Sequence, residues 1–173
     1  MASLTKTGVS VQTQAKIDQV AAALETYASR GVFRGFSRAA TTATRGTFKI
    51  LWHRDRTFDL IFDARKNTFR FASVLPDVPP EMFSDLQEFI AIRQSGETIE
   101  HRRNDPEKLR IEIANRTGEV ELTMTMLDSD LDYAVRKLIH LVHEIYLVFL
   151  HDGKYYDYLI TTFNLDPDYI QFT

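Results

Sequence analysis

The chain has 173 residues, 44% of them apolar and 26% charged; these are the proportions of an ordinary globular domain, not of a disordered or fibrous chain. The net charge of −3 argues against wholesale attraction to nucleic acid or an anionic membrane. With no cysteine at all, a disulfide framework, thiol catalysis and thiolate metal sites are excluded.

No apolar run reaches membrane-spanning length. The opening Met1-Ala-Ser-Leu-Thr-Lys6 lacks the apolar core of a secretory leader. The expectation is a soluble, cytoplasmic, single α+β domain over residues 1–173, with a flexible start at 1–12 and a C-terminal appendage at 151–173.

The first predicted element is a helix over 13–30. Ile17, Val20, Ala21, Leu24, Tyr27 and Ala28 draw one apolar stripe at helical spacing, and Gly31 is placed to end it in a left-handed cap. Val32–Arg45, rich in small residues and arginine, reads as loop or irregular edge. A three-strand antiparallel meander follows over 48–53, 57–63 and 68–73, where aromatic and β-branched residues alternate with polar ones. Pairing Trp52 with Phe58 and Phe62 with Phe69 keeps the large aromatics on one face.

Pro79 or Pro80 then opens a helix striped by Met82, Phe83, Leu86, Phe89 and Ile90 and ended by Gly96. After a polar connector at 98–106, Leu109, Ile111 and Ile113 alternate against Val120, Leu122, Met124 and Met126 across the turn Asn115-Arg-Thr-Gly118. This is a hairpin, with Ile113 expected opposite Val120.

Asp128 and Ser129 are good caps for a long amphipathic helix, and Asp130 and Asp132 suit its first turn. Its stripe runs Leu131, Val135, Leu138, Val142, Ile145, Phe149, and its second half is apolar nearly all round. Such a helix is covered on more than one side, here by the sheet together with either the tail or a second subunit. Tyr156, Leu159, Ile160 and Phe163 suggest a short last helix, and Asp166-Pro-Asp-Tyr169 closes the chain.

Four patterns invite a chemical reading. His140-Leu-Val-His143-Glu144 resembles a helical metal pair, but the order His-x-x-His-Glu matches neither zincin arrangement. A polar strip on an apolar helix, formed by Lys137, His140, Glu144 and His151, explains it as well. Asp128-Ser-Asp-Leu-Asp132 opens like a calcium loop, yet the required Gly and Glu positions hold Tyr133 and Ile139. Neither a metal ion nor a cofactor is expected, and no catalytic residue is assigned. From Thr26 to Arg54 there are six bases and no acid, with Phe33, Phe36, Phe48 and Trp52 interleaved. Arg34, Arg38 and Arg45 are the anion-binding candidates there, joined by His101-Arg-Arg103 if the fold brings it near; nucleic acid, gripped by these arginines and Trp52, is a less favoured ligand. Finally, Leu51, Ile61, Ala72 and Val74 fall on the outward face of the first meander. If aligned and open they form an apolar stripe for a partner chain, helped by Tyr146.

The order helix, three-strand meander, helix, two-strand hairpin, long helix, over about residues 13–150, resembles the type III secretion chaperone-like fold, including the YbjN-type bacterial proteins. The segment Leu109–Met126 followed by the amphipathic Leu131–Leu150 carries that resemblance. It implies a bacterial, homodimeric, non-enzymatic module with helices against one antiparallel sheet, binding a protein partner through the sheet. The alternative is a small-ligand, metal-binding or hydrolytic protein using the helix histidines or the basic segment.

Overall fold

The computed structural model describes residues 2–165, with the backbone alone for 2–10; the Asp166–Tyr169 ending lies outside them. Its architecture is the expected α+β one: four helices against a single antiparallel sheet of six strands. The elements run α1 (Ala2–Ser29), β1 (Gly35–Thr41), β2 (Arg45–Leu51), β3 (Thr57–Asp63), β4 (Thr68–Leu75), α2 (Pro80–Arg93), β5 (Leu109–Arg116), β6 (Glu119–Met126), α3 (Leu131–Glu144) and α4 (Tyr156–Phe163). The strand order is β1-β2-β3-β4-β6-β5, so β6 joins the two meanders. No described helix is long and apolar enough to cross a membrane.

Alternation decides the layers. Phe48, Ile50, Phe58, Leu60, Phe62, Phe69, Phe71, Leu122 and Met124 form the buried floor on which the helices lie. From above, α1 supplies Ile17, Val20 and Leu24, α2 supplies Met82, Leu86 and Ile90, and α3 supplies the whole stripe from Leu131 to Val142. The helix predicted over 13–30 begins at Ala2, so residues 2–12 are helical where a flexible start was expected. Gly31 (φ +80°) closes it, and the Val32 N–H reaches back to the Tyr27 carbonyl at 3.0 Å.

Several expectations change in detail. Val32–Arg45 contains a seven-residue edge strand, β1. Phe36 is its one large apolar residue and is only half-buried, and a bulge between Arg38 and Thr41 breaks the alternation. Phe62 does pair with Phe69, but Phe58 lies opposite Ile50, not Trp52. Likewise Ile113 lies opposite Leu122, and Val120 opposite Asn115. Both errors are shifts of two residues, which leave every side chain on its face, so alternation alone could not detect them. The second arises because β5 and β6 continue to Arg116 and Glu119 around a two-residue turn. Asn115 braces it, its Oδ1 accepting from the Gly118 N–H at 2.8 Å and its Nδ2 donating to the Val78 carbonyl at 3.1 Å.

The long C-terminal helix is covered by the chain's own tail. Past Glu144 it widens into a π-helix over Ile145–His151. α4 then folds back to set Phe163 against Tyr146 (ring centroids 6.0 Å apart) and buries Leu159. The tail is therefore part of the packed domain up to Leu165. Tyr158 donates to the Pro76 carbonyl and Tyr155 to Asp85.

Candidate functional site

The four sequence patterns fare differently. Leu51 and Ile61 are half-buried and Ala72 exposed on the outer sheet face. In the register, Leu51 sits opposite Thr57 while Ile61 sits opposite Thr47 and Arg70, so they do not align into a stripe. Val74 is 0% exposed: the step from Phe71 to Leu75 on β4 spans only Leu122 to Val120 on β6, and this bulge turns Val74 inward. Tyr146 is also 0% exposed. Its hydroxyl donates to the Val74 carbonyl at 2.7 Å, and Arg56 donates to both oxygens, at 2.7 and 2.9 Å. Burial pushes the Tyr146 hydroxyl up to about 12. Val74 and Tyr146 are thus core residues and cannot face a partner.

The outer face is otherwise threonine and self-paired charge, with Lys49–Asp59 at 3.0 Å, Arg45–Asp63 at 3.1 Å and Arg70–Glu121 at 3.1 Å. One shallow depression of about 370 Å³ lies on it around Ile61, Arg45, Asp63 and Arg70.

The basic segment, acid-free in sequence, is not acid-free in space. Arg34 pairs with Asp55, Arg38 with Asp18 at 3.1 Å and Arg45 with Asp63 at 3.1 Å. The three anion candidates are therefore separately neutralised and point to different places. Trp52 is buried, which removes it as a stacking platform for bases. The helix histidines also diverge. His143 meets the His53 ring (centroids 5.2 Å), Glu144 lies 2.6 Å from Arg93, and His140 turns toward the connector. Among the described residues no three His, Asp or Glu side chains are placed to hold a metal ion. At the start of α3, Asp130 caps the helix by accepting from the Tyr133 N–H, and Lys108 bridges Asp130 and Asp128 at 2.8 and 3.6 Å, so the acidic run is spent on capping.

What the fold does assemble is a concavity of about 440 Å³ between the 98–106 connector and the first turns of α3. The connector is held in shape. The Asn104 N–H donates to the Arg93 carbonyl at 2.8 Å, the Arg103 N–H to the Ile99 carbonyl at 3.0 Å, and the Asp105 N–H to the Tyr133 hydroxyl at 3.1 Å. Its lining from the connector is Glu100, His101, Arg103 and Asp105, and from α3 it is Tyr133, Arg136, Lys137 and His140.

Lys137 is the centre of this site. It is 5% exposed, and its ammonium donates to the His101 carbonyl at 3.1 Å. Among the described residues no carboxylate lies within 4.0 Å of Lys137, Arg136 or Arg103, whereas the arginines of the basic segment named above all have one. Burial, with the neighbouring Arg136 charge, holds the Lys137 ammonium below the ordinary lysine range. Burial and the Lys137 charge likewise hold His140 below its ordinary value. Burial is the larger cause of both shifts, neighbouring cations add to it and Glu144 opposes it; an anion in the concavity would favour the charged form of both groups.

Of these residues, the sequence marks His101 and Arg103 as possible helpers of the basic segment and His140 as part of the metal pattern. Lys137 reads there only as part of the solvated polar strip and Tyr133 only as the wrong residue for a calcium loop, while Arg136, Glu100 and Asp105 carry no signal of their own. The adjacent pair Arg136-Lys137 facing a second run of bases was the available signal, but only the fold shows that the runs meet.

No protein-family model, curated protein or solved structure matches the chain.

Proposed function

We propose that this protein is a non-enzymatic binding module whose ligand presents an anionic group to the concavity between α3 and the 98–106 connector. One observation carries this reading: three cations with no carboxylate within 4.0 Å, one of them Lys137 almost fully buried, line a space that holds two carboxylates, Glu100 and Asp105. Burying charge is costly, and an incoming anion offsets that cost here, while Arg34, Arg38 and Arg45 already have carboxylate partners. The volume falls within the roughly 300–1,000 Å³ of small-molecule sites.

A thermal-shift titration tests it, using inorganic phosphate against sodium chloride at matched ionic strength. A ligand at about twentyfold its Kd adds about 2 kcal/mol of stability, so phosphate near 20 mM raises the Tm if Kd is about 1 mM. Lys137→Met abolishes the rise and Arg34→Gln leaves it intact. An equal rise with chloride, or a rise that survives Lys137→Met, overturns the assignment.

A second reading keeps the partner-binding expectation: the sheet has one face that no described helix covers, and the depression at Ile61 is its concave part. Ile61→Asp leaves the core untouched and abolishes association with the partner, or with a second copy, if that face docks one; undiminished association by a folded variant rules it out.

A further inference from the structure

Building on the concavity as an anion site, we infer that its ligand is a small polyhydroxylated phosphate monoester, with the phosphate among Arg103, Arg136, Lys137 and Tyr133 and the hydroxyls toward Glu100 and Asp105. The inventory of donors favours phosphate over carboxylate. Lys137 has three N–H groups and spends one on the His101 carbonyl. The Tyr133 oxygen already accepts from the Asp105 N–H, so its own hydrogen remains to be given. Two guanidinium groups add planar forks from opposite walls, Arg103 on the connector and Arg136 on α3. Donors from four side chains on two elements match the three terminal oxygens of a phosphate monoester. A carboxylate, planar and with two oxygens, leaves some of them unpaired.

The two carboxylates in the lining decide what else the ligand carries. Glu100 and Asp105 repel a bare anion. Ionised carboxylates only accept hydrogen bonds, and Asp105 has one oxygen engaged by the Glu107 N–H at 2.9 Å, leaving the other. Hydroxyl groups on the body of the ligand satisfy both and convert repulsion into selectivity. The lining contains no aliphatic side chain, so an apolar body gains nothing there, and about 440 Å³ accommodates a pentose or hexose phosphate.

Isothermal titration with ribose 5-phosphate, inorganic phosphate, ribose and citrate distinguishes this inference from the reading beneath it. Ribose 5-phosphate is expected to bind at least about tenfold more tightly than phosphate, a difference of about 1.4 kcal/mol, with ribose silent. Lys137→Met abolishes binding of both anions, and Arg103→Gln, at a half-exposed position on the connector, serves as a second variant if the first fails to fold. Glu100→Gln is expected to leave phosphate binding intact or tighter and to shrink the preference for the sugar phosphate. Equal affinity for phosphate and ribose 5-phosphate overturns the hydroxyl part and sustains the anion site. Citrate binding more tightly than either overturns the phosphate assignment. Absence of binding by every anion at millimolar concentration overturns both the inference and the proposed function.

Discussion

Arg54 and Asp55 both adopt φ of 56°, a left-handed conformation that is free of strain only for Gly and that Asp tolerates better than Arg. They turn β2 into β3, with the Trp52 N–H bonded to the Arg56 carbonyl at 3.0 Å. The ion pair of Asp55 with Arg34 is largely exposed and contributes little. Asp55→Gly is therefore expected to raise stability by about 0.5–1 kcal/mol, read as a higher urea midpoint with unchanged slope. A lower midpoint would show that the pair outweighs the strain.

Next to this turn His53 stacks on Tyr146, rings 3° from parallel, with its Nε2 buried and unpartnered. Burial first, then His143 and Arg54, lower its pKa to about 3. The folded state therefore binds fewer protons than the unfolded one between about pH 6.5 and 3. The stabilisation is complete above pH 6.5 and is lost as pH falls through that window, by at most about 1.4 kcal/mol per pH unit. His140 and His143, also lowered by burial, act in the same direction. Below about pH 4 the depressed Asp63 and Asp130 add their own loss. His53→Phe keeps the stack and is expected to flatten the stability profile between pH 6 and 4; a profile as steep as that of the parent chain would contradict the assignment. None of this was legible in the sequence, where His53 is simply the last residue of a strand. Its character comes from α3, which approaches from ninety residues away.

At the scale of elements, periodicity announced most of the fold. The stripe Leu131–Phe149 was read residue for residue, and each of its members is buried. The apolar second half of that helix required a second cover, and α4 is that cover. What periodicity could not show was the change of winding at Ile145, or the two-residue register shifts that preserve every face.

The widened segment also explains Gly153. A Cβ there would stand 2.3 Å from the Phe149 carbonyl oxygen, closer than any real contact, and the obstacle is backbone, which cannot step aside. Gly153→Ala is expected to cost about 1–3 kcal/mol and to expose Phe149 and Tyr146 as α4 lifts, seen as a lower Tm and increased tyrosine accessibility. An unchanged Tm would mean that the π-helix relaxes freely. The β4 bulge escaped the sequence for a related reason. Ala72, Ser73 and Val74 alternate acceptably as a regular strand, and only the Arg56 and Tyr146 side chains converging on the Val74 carbonyl show why the backbone departs from it.

Across the whole molecule, folding and not sequence proximity decides which charges are paired. Sequence proximity made Arg30–Arg54 look electropositive because no acid lies within it. Folding brings Asp18 and Asp63 to Arg38 and Arg45, and a turn brings Asp55 to Arg34. The outer sheet face, proposed from alternation as an apolar surface, is a lattice of such pairs, and desolvating them to dock a partner is expensive. Cations with no carboxylate within 4.0 Å instead share one concavity where two short basic runs, 101–103 and 136–137, meet across α3 and the connector. Either run alone is an ordinary solvated patch, so the candidate site was legible only as fragments.

Whether the concavity between α3 and the connector holds an anion is decided by a ¹⁵N-resolved NMR titration of the full chain with inorganic phosphate at constant ionic strength. Saturable shifts confined to the amides of 100–105 and 133–140, and absent in Lys137→Met, are expected. Saturable shifts centred on Arg34, Arg38 and Arg45, or no saturable shifts anywhere, would contradict that site.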